Sequence, residues 1–214
     1  RHKVCLMLKN IGSNGRGGSS RFFDQSAALS GYSGSFGRFY ANSVQNEILV
    51  LKSKTTMTQV VERLGINQFY STKTKLFKSN VDLYKKSPIE VKLIDATSST
   101  NASFTVTPMK DSTAVIEIAD IAPIKVHLRD TVKTPLGRMV IEPTWYLQAS
   151  SLNVPVNVRR MDLASAANMF RYALNISYDD RTISVVNLSM RGSSPERAAD
   201  IINTVIEVYN EDVI

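Results

Sequence analysis

Apolar residues recur at helical intervals from Val44 to Leu64. Asn42 precedes this segment as a candidate N-cap, and Gly65 follows it as a candidate C-cap. A polar run at residues 52–56 interrupts the apolar face. This run either breaks the segment into two helices or marks a stretch that faces solvent or a partner, so the pattern predicts one helix or a kinked pair of helices.

Two further helices are predicted in the last third of the chain. Asp162 caps the first of them. The second begins after Ser194, with Pro195 at its first position, and carries an apolar stripe that reaches Tyr209. No C-cap follows before Ile214, so we expect this helix to continue in a longer native chain.

Between the helices the apolar period changes to two, which is typical of half-buried β-strands. The alternating segments lie at residues 89–93, 104–106, 114–118, 124–128, 154–158, 174–178 and 182–190. Turn-forming residues lie at residues 98–101, 108–111, 134–137 and 178–181. These patterns predict antiparallel hairpins.

The order of these elements predicts an α+β fold, with a mainly antiparallel sheet and helices on one face. We expect the core to comprise residues 1–75 and 148–214, and residues 76–147 to form an inserted β-rich elaboration. Residues 10–40 are rich in glycine and serine and are predicted to form a mobile loop. They contain no Gly-Lys-Ser/Thr sequence, so they do not match a nucleotide-binding phosphate loop.

Composition places the chain among ordinary globular proteins, with 214 residues of which 43% are hydrophobic and 21% charged. The net charge is +7, but the lysines and arginines are dispersed among acidic residues. Dispersed charge favours a solvated surface, so we expect no nucleic-acid partner. No apolar run approaches the roughly 20 residues that a membrane-spanning helix needs.

Residues that commonly carry catalysis are sparse. The histidines are His2 and His127, and His127 alternates with Lys125 and Arg129 on the expected outer face of a strand. Cys5 is the only cysteine, which excludes an internal disulfide and a multi-cysteine metal site. We therefore assign no catalytic, metal-binding or cofactor-binding residue and expect no enzyme activity in this part of the chain.

Acidic and aromatic pairs offer the remaining candidate chemistry. The acidic pairs at residues 179–180 and 211–212 are expected at a turn and at a helix end, whereas a glycosidase places its two carboxylates across a cleft. Trp145 and Tyr146 are adjacent aromatic residues. We expect them to pack within or cap the β-rich elaboration, and the alternative is a ligand-stacking platform.

Two segments resemble the chain-length-determinant (Wzz-type) family, which includes polysaccharide co-polymerases fused to bacterial tyrosine autokinases. Residues 43–53, followed by 60–66, are similar to the family's helix of the form x-Glu-Ile-x-x-Leu-x-Ser and its Val-x-x-x-Leu-x-Leu end. Residues 194–203, continuing to 210, are similar to its Asp/Ser-Pro-x-x-Ala-x-x-Ile-x-Asn entry into a long helix. Residues 84–91 look like the kinase-fused branch. The β-rich stretch between the two segments is longer than in the compact members.

This resemblance implies a periplasmic domain of a bacterial inner-membrane protein, anchored by helices outside residues 1–214. Family members form homo-oligomeric rings and regulate the chain length, polymerisation or export of a surface or capsular polysaccharide. The implied partners are other copies of the protein, the polysaccharide polymerase and export machinery, and the polysaccharide itself. Any attached tyrosine kinase would lie in cytoplasmic sequence outside these residues.

Two other function classes remain open from the sequence. A secreted glycan- or peptide-binding module predicts a defined pocket around Trp145 and Tyr146. A glycan-processing enzyme requires two carboxylates across a cleft.

Overall fold

A computed structural model describes residues 2–7, 45–73, 80–179, 182–192 and 194–212. Its helices are α1 (Lys54–Leu64), α2 (Leu163–Ala173) and α3 (Pro195–Asp212), and residues 45–51 are also helical. Its strands are β1 (His2–Met7), β2 (Gln68–Lys73), β3 (Asn80–Asp82), β4 (Ile89–Leu93), β5 (Ala102–Pro108), β6 (Thr113–Glu117), β7 (Ile124–His127), β8 (Thr131–Thr134), β9 (Gly137–Pro143), β10 (Val156–Arg160), β11 (Leu174–Asp179) and β12 (Thr182–Met190). A short 3-10 helix, Ala149–Ser151, precedes β10. The predicted α+β fold class is confirmed.

The first helical segment forms a kinked pair of helices, which is one of the two predicted alternatives. Residues 45–51 are helical, and α1 begins after Ser53, whose Oγ accepts a hydrogen bond from the Thr56 amide at 3.0 Å. Gly65 ends α1 in the left-handed conformation, with a φ of 61°. The predicted cap at Asn42 lies outside the described residues.

The polar run at residues 52–56 forms the junction between these two helices. Thr56 is buried, and its Oγ1 donates to the Val50 carbonyl at 2.9 Å. Ser53 Oγ lies 2.9 Å from Thr56 Oγ1. These polar groups satisfy the backbone where the chain changes direction. The run therefore breaks the segment into two helices, which is one of its two predicted roles.

The predicted N-caps of the other two helices are confirmed. Asp162 Oδ1 accepts from the Ser165 amide at 2.8 Å, at the start of α2. Ser194 Oγ accepts from the Arg197 amide at 3.2 Å, at the start of α3. The apolar stripe of α3 is buried and comprises Ala198, Ile201, Ile202, Val205, Val208 and Tyr209.

The described strands form three antiparallel sheets. Their orders are β1-β12-β11, β3-β2-β10-β5-β6-β7 and β4-β9-β8. Strand β10 lies between β2 and β5, with Val158 opposite both Tyr70 and Phe104. Strands β2 and β10, which flank the predicted insertion, therefore share a sheet with β3, β5, β6 and β7, which lie inside it.

Two hydrophobic clusters correspond to this arrangement. The first joins the three helices to β11 and β12, and its buried residues include Met57, Phe170, Leu188 and Ile202. The second is formed by residues of the six-stranded sheet, of β4 and β9, and by Leu128 directly after β7. Every one of its buried members lies within residues 89–158. The proposed boundary of the insertion at residues 76–147 stays a prediction.

Candidate functional site

The two segments that carry the family resemblance lie side by side in the first hydrophobic cluster. Arg63, at the end of α1, donates through both terminal nitrogens to Glu211 near the end of α3, with Nη1–Oε1 at 2.8 Å. The Tyr209 hydroxyl donates to Glu47. Burial raises the pKa of Tyr209 to about 12, and the hydrogen bond to Glu47 contributes to the rise. These contacts hold α3 against both parts of the first helical segment.

Arg197 connects α3 to the β-rich part. Its side chain is 9% exposed, and both terminal nitrogens donate to Asp82 at the end of β3, with Nη2–Oδ1 at 2.8 Å. Its guanidinium also lies 4.7 Å from the ring centroid of Tyr84 and 5.2 Å from that of Phe69. Because a buried charge needs a partner, this arrangement fixes the start of α3 against β2 and β3.

Further polar contacts surround Tyr84. Its hydroxyl donates to Asp200 Oδ2 at 2.7 Å, Lys85 Nζ lies 2.6 Å from the same oxygen, and Lys86 lies 3.4 Å from Glu196. Burial raises the pKa of Tyr84, and the Asp200 carboxylate raises it further. Burial also raises the pKa of Asp200, but the hydrogen bonds from Lys85 and Tyr84 outweigh it and lower that pKa overall. The loop after β3 is thereby tied to the first turns of α3.

A row of short polar side chains lies on β11 and β12. Asn175 is directly opposite Ser189, and Ser177 is directly opposite Asn187. The adjacent residues Leu174, Val186 and Leu188 are buried in the cluster with the helices, because successive side chains of a strand point to opposite faces. The four residues therefore share the sheet face that points away from the helices. We call this set, Asn175, Ser177, Asn187 and Ser189, the polar sheet face.

The polar sheet face lines a cavity of about 680 Å³ together with Tyr172, Ala173, Met190 and Arg191. Tyr172, near the end of α2, is 75% exposed, and the Arg171 guanidinium lies 5.1 Å from its ring centroid. A second cavity of about 250 Å³ shares Ala173, Met190 and Arg191 with the first. Its walls include the apolar residues Phe69, Phe170 and Ile201.

These side chains suit binding better than bond chemistry. Asparagine and serine donate and accept hydrogen bonds without carrying charge, tyrosine adds an amphipathic ring, and arginine can pair with a carboxylate. The cavity can therefore hold a polar ligand rich in hydroxyl groups.

The residues weighed from the sequence as candidate chemistry lie elsewhere. His127 is exposed on β7, as predicted. Trp145 is 91% exposed and Tyr146 is 44% exposed, so the expectation that Trp145 packs in the β-rich part is wrong. The physical reason is local, because Thr144 fixes the turn after β9 through its amide, 3.0 Å from the Pro88 carbonyl, and Trp145 follows it in the turn.

The structure describes only part of the two acidic pairs considered for catalysis. Asp179 is the last residue of β11, and Glu211 lies on α3. The hydrogen bonds from Arg63 hold the pKa of Glu211 below its ordinary value. Asp180 and the side chain of Asp212 lie outside what the structure describes. Within the described residues, no group of three or more His, Cys, Asp or Glu is placed to hold a metal ion.

Sequence reasoning did not single out the polar sheet face. The available signal was the alternation of Asn175 and Ser177 with apolar residues, repeated at Asn187 and Ser189. Alternation identifies the outer face of a strand, but it does not reveal which strand lies beside it. The register of β11 with β12 was needed to bring the two pairs together.

Comparisons with known proteins give no assignment: no protein-family model matches the chain, and no curated protein matches it. Among the described residues, no helix combines the length and the apolar character needed to cross a membrane.

Proposed function

We propose that this chain is the periplasmic assembly domain of a bacterial inner-membrane protein that regulates the chain length, polymerisation or export of a surface or capsular polysaccharide. In this role it has no catalytic residues. It holds neighbouring copies of the full-length protein in place and presents surfaces to the polysaccharide polymerase and export machinery.

The observation that carries this proposal is the packing of the two family-like segments. They are far apart in sequence, yet Tyr209 of the second segment contacts Glu47 of the first. Arg63 of the first segment also forms a bidentate pair with Glu211, the residue that follows the second segment. Val61 and Ile202 are fully buried in the same cluster. Two resembling segments that form one packed unit support a shared ancestral fold more strongly than two isolated motifs do.

A mechanical role also agrees with the contacts around α3. This helix is held at its start by the buried Arg197 and near its end by Glu211. A helix fixed at both ends transmits the position of one part of a domain to another as a rigid element. In the proposed protein, α3 continues towards the membrane anchor and sets the orientation of the domain.

The test uses the full-length gene product with its natural flanking segments. We expect it to carry an apolar segment of about 20 residues on each side of this chain and to form closed oligomers, measured by mass photometry in nanodiscs. Deleting the gene is expected to change the amount or the length distribution of a surface polysaccharide on gels. A monomeric full-length protein, together with unchanged polysaccharide in the deletion strain, would contradict the proposal.

A domain replacement provides the control. The same flanking segments are joined to an unrelated globular domain of similar size, and this hybrid is expected not to restore the polysaccharide pattern. If it restores the pattern, the activity belongs to the flanks and not to these 214 residues.

The alternative is a secreted glycan- or peptide-binding module. A cleavable signal before the chain and no apolar segment after it would favour this alternative. The cavity on the polar sheet face is the structural feature that it would use, in place of the pocket expected around Trp145.

A further inference from the structure

The volume of the cavity on the polar sheet face agrees with that of a ligand site. Its 680 Å³ falls within the roughly 300–1,000 Å³ of typical small-molecule pockets. Such pockets are mostly apolar, whereas this one is lined by two asparagines and two serines in cross-strand pairs. The ligand must therefore present many neutral hydrogen-bonding groups, as a sugar chain does.

Other classes of ligand fit this face less well. A peptide is usually recognised through pairing at a strand edge or through apolar grooves, and this surface is a polar sheet face. A nucleic acid requires a dense cluster of lysines and arginines to neutralise its phosphates. Arg191 is the one cation that lines this cavity among the described residues, and Arg171 lies beside Tyr172.

The arginines also indicate the charge of the sugar chain. Arg191 lines both neighbouring cavities, and the Arg171 guanidinium is placed over the ring of exposed Tyr172. No acidic residue is among the side chains that line the 680 Å³ cavity in the described chain. Positive groups at the border of a neutral polar face complement a chain that carries carboxylates at intervals.

We infer that the polar sheet face binds an acidic polysaccharide, with Asn175, Ser177, Asn187 and Ser189 bonding sugar hydroxyls, Tyr172 stacking on a sugar ring and Arg191 pairing with a carboxylate. This inference rests on the proposed function, which supplies a polysaccharide as the partner, and it names the surface that touches it. The contact gives the assembly domain a direct means of sensing the growing chain.

The test titrates the isotope-labelled 214-residue chain with hexagalacturonate, an acidic sugar oligomer, and follows amide shifts by NMR. Saturable changes are expected at residues 174–177 and 187–191. Maltohexaose, which is neutral, is expected to bind about tenfold more weakly because it lacks the carboxylate that pairs with arginine. Hexaglutamate, which has charge without sugar, is expected to produce no saturable change on this face.

Two pairs of variants separate this face from general surface effects. Tyr172→Ala and Arg191→Gln are each expected to raise the Kd for hexagalacturonate about tenfold. Trp145→Ala and Lys125→Gln, at exposed positions on the β-rich part, serve as matched controls and are expected to leave the Kd unchanged. All four side chains are exposed, so these changes leave the cores intact.

Three results would overturn the inference: absence of saturable binding of hexagalacturonate, equal binding of hexaglutamate, or loss of binding in Trp145→Ala but not in Tyr172→Ala. If the full-length protein still forms oligomers and sets polysaccharide length in that case, the proposed function stands without this site. If the domain binds hexagalacturonate as expected but the full-length protein neither assembles nor alters polysaccharide, the site stands and the secreted binding module replaces the proposed function.

Discussion

Arg197 illustrates how a single residue can join two parts of this molecule. Its guanidinium is removed from water, and this costs several kcal/mol unless a partner compensates it. Asp82 supplies the opposite charge in a bidentate pair, while the rings of Phe69 and Tyr84 cover the guanidinium. The pair is 115 residues apart in sequence, so it links the β-rich part to α3 directly.

Removing the Asp82 carboxylate should lower the free energy of unfolding far more than removing a carboxylate from an exposed ion pair. Asp82→Ala is expected to lower the free energy of unfolding by about 3–5 kcal/mol, because it leaves the Arg197 charge buried without its carboxylate. Asp95→Ala is the matched control, since Asp95 also makes a bidentate pair, with Arg138, but at an exposed position. Urea unfolding checks both variants. Equal shifts of the two urea midpoints would contradict the claim that burial makes the Asp82–Arg197 pair the more important of the two.

The raised pKa of the Tyr209 hydroxyl predicts how the stability of the fold changes at alkaline pH. Its pKa is raised from 10.0 to about 12 in the folded protein, so the folded state retains this proton after the unfolded state has lost it. The resulting stabilisation is complete below pH 10 and is lost as the pH rises through about 12. We expect the urea midpoint of the wild type to fall between pH 10 and pH 12, and to fall less steeply in Tyr209→Phe. Tyr146→Phe, which removes a hydroxyl from an exposed side chain, should retain the wild-type slope.

At the scale of single elements, the ends of the helices follow from local chemistry. Gly65 adopts a φ of 61°, which an L-residue with a Cβ atom seldom tolerates, and its amide bonds back to the Glu62 and Val61 carbonyls. A Cβ atom at this position would meet no other atom within 4 Å. The cost of a larger residue therefore lies in the backbone conformation alone.

Gly65→Ala is expected to lower the free energy of unfolding by about 1–2 kcal/mol, the cost of a left-handed conformation for an L-residue. Gly192→Ala is a close control, because a Cβ atom there also meets nothing within 4 Å and its φ is not in the left-handed region. Thermal unfolding of both variants distinguishes the two effects. A similar loss of stability at Gly192 would show that the cost at Gly65 is not conformational.

Local signals made these elements predictable. Asp162, Ser194 and Gly65 were each identified from the sequence as helix caps, because a cap depends on residues within one turn. Alternating apolar residues identified β4 and β5 for the same reason. Trp145 was misjudged because its exposure depends on the turn after β9, and hydrophobicity alone does not report how a turn directs a side chain.

At the scale of the whole molecule, the arrangement of strands was not predictable from these signals. Period-two alternation fixes which side of a strand is buried, but it leaves the neighbouring strand undetermined. The placement of β10 between β2 and β5 joins residues far apart in sequence. The polar sheet face and the Asp82–Arg197 pair depend on such non-local pairing, and therefore both were missed.

The placement of β10 leads to a prediction about which part of the chain folds by itself. Every buried residue of the second cluster lies within residues 89–158. Strands β2 to β10 also follow one another along the chain, with no α-helix between them in the described residues. A fragment of residues 67–161 should therefore fold alone, with dispersed NMR signals and a cooperative thermal transition. Its matched control is residues 76–147, which lack β2 and β10 and so lose the fully buried Val158, while they keep β5.

We expect the shorter fragment to lack cooperative unfolding, because removal of β10 exposes one flank of β5 and opens the core to water. If residues 76–147 fold as well as residues 67–161, the insertion is an independent unit and β10 only borders it. If neither fragment folds, the β-rich part depends on the helical part through the Arg197 junction, and the Asp82→Ala variant would then be expected to unfold both parts in a single transition.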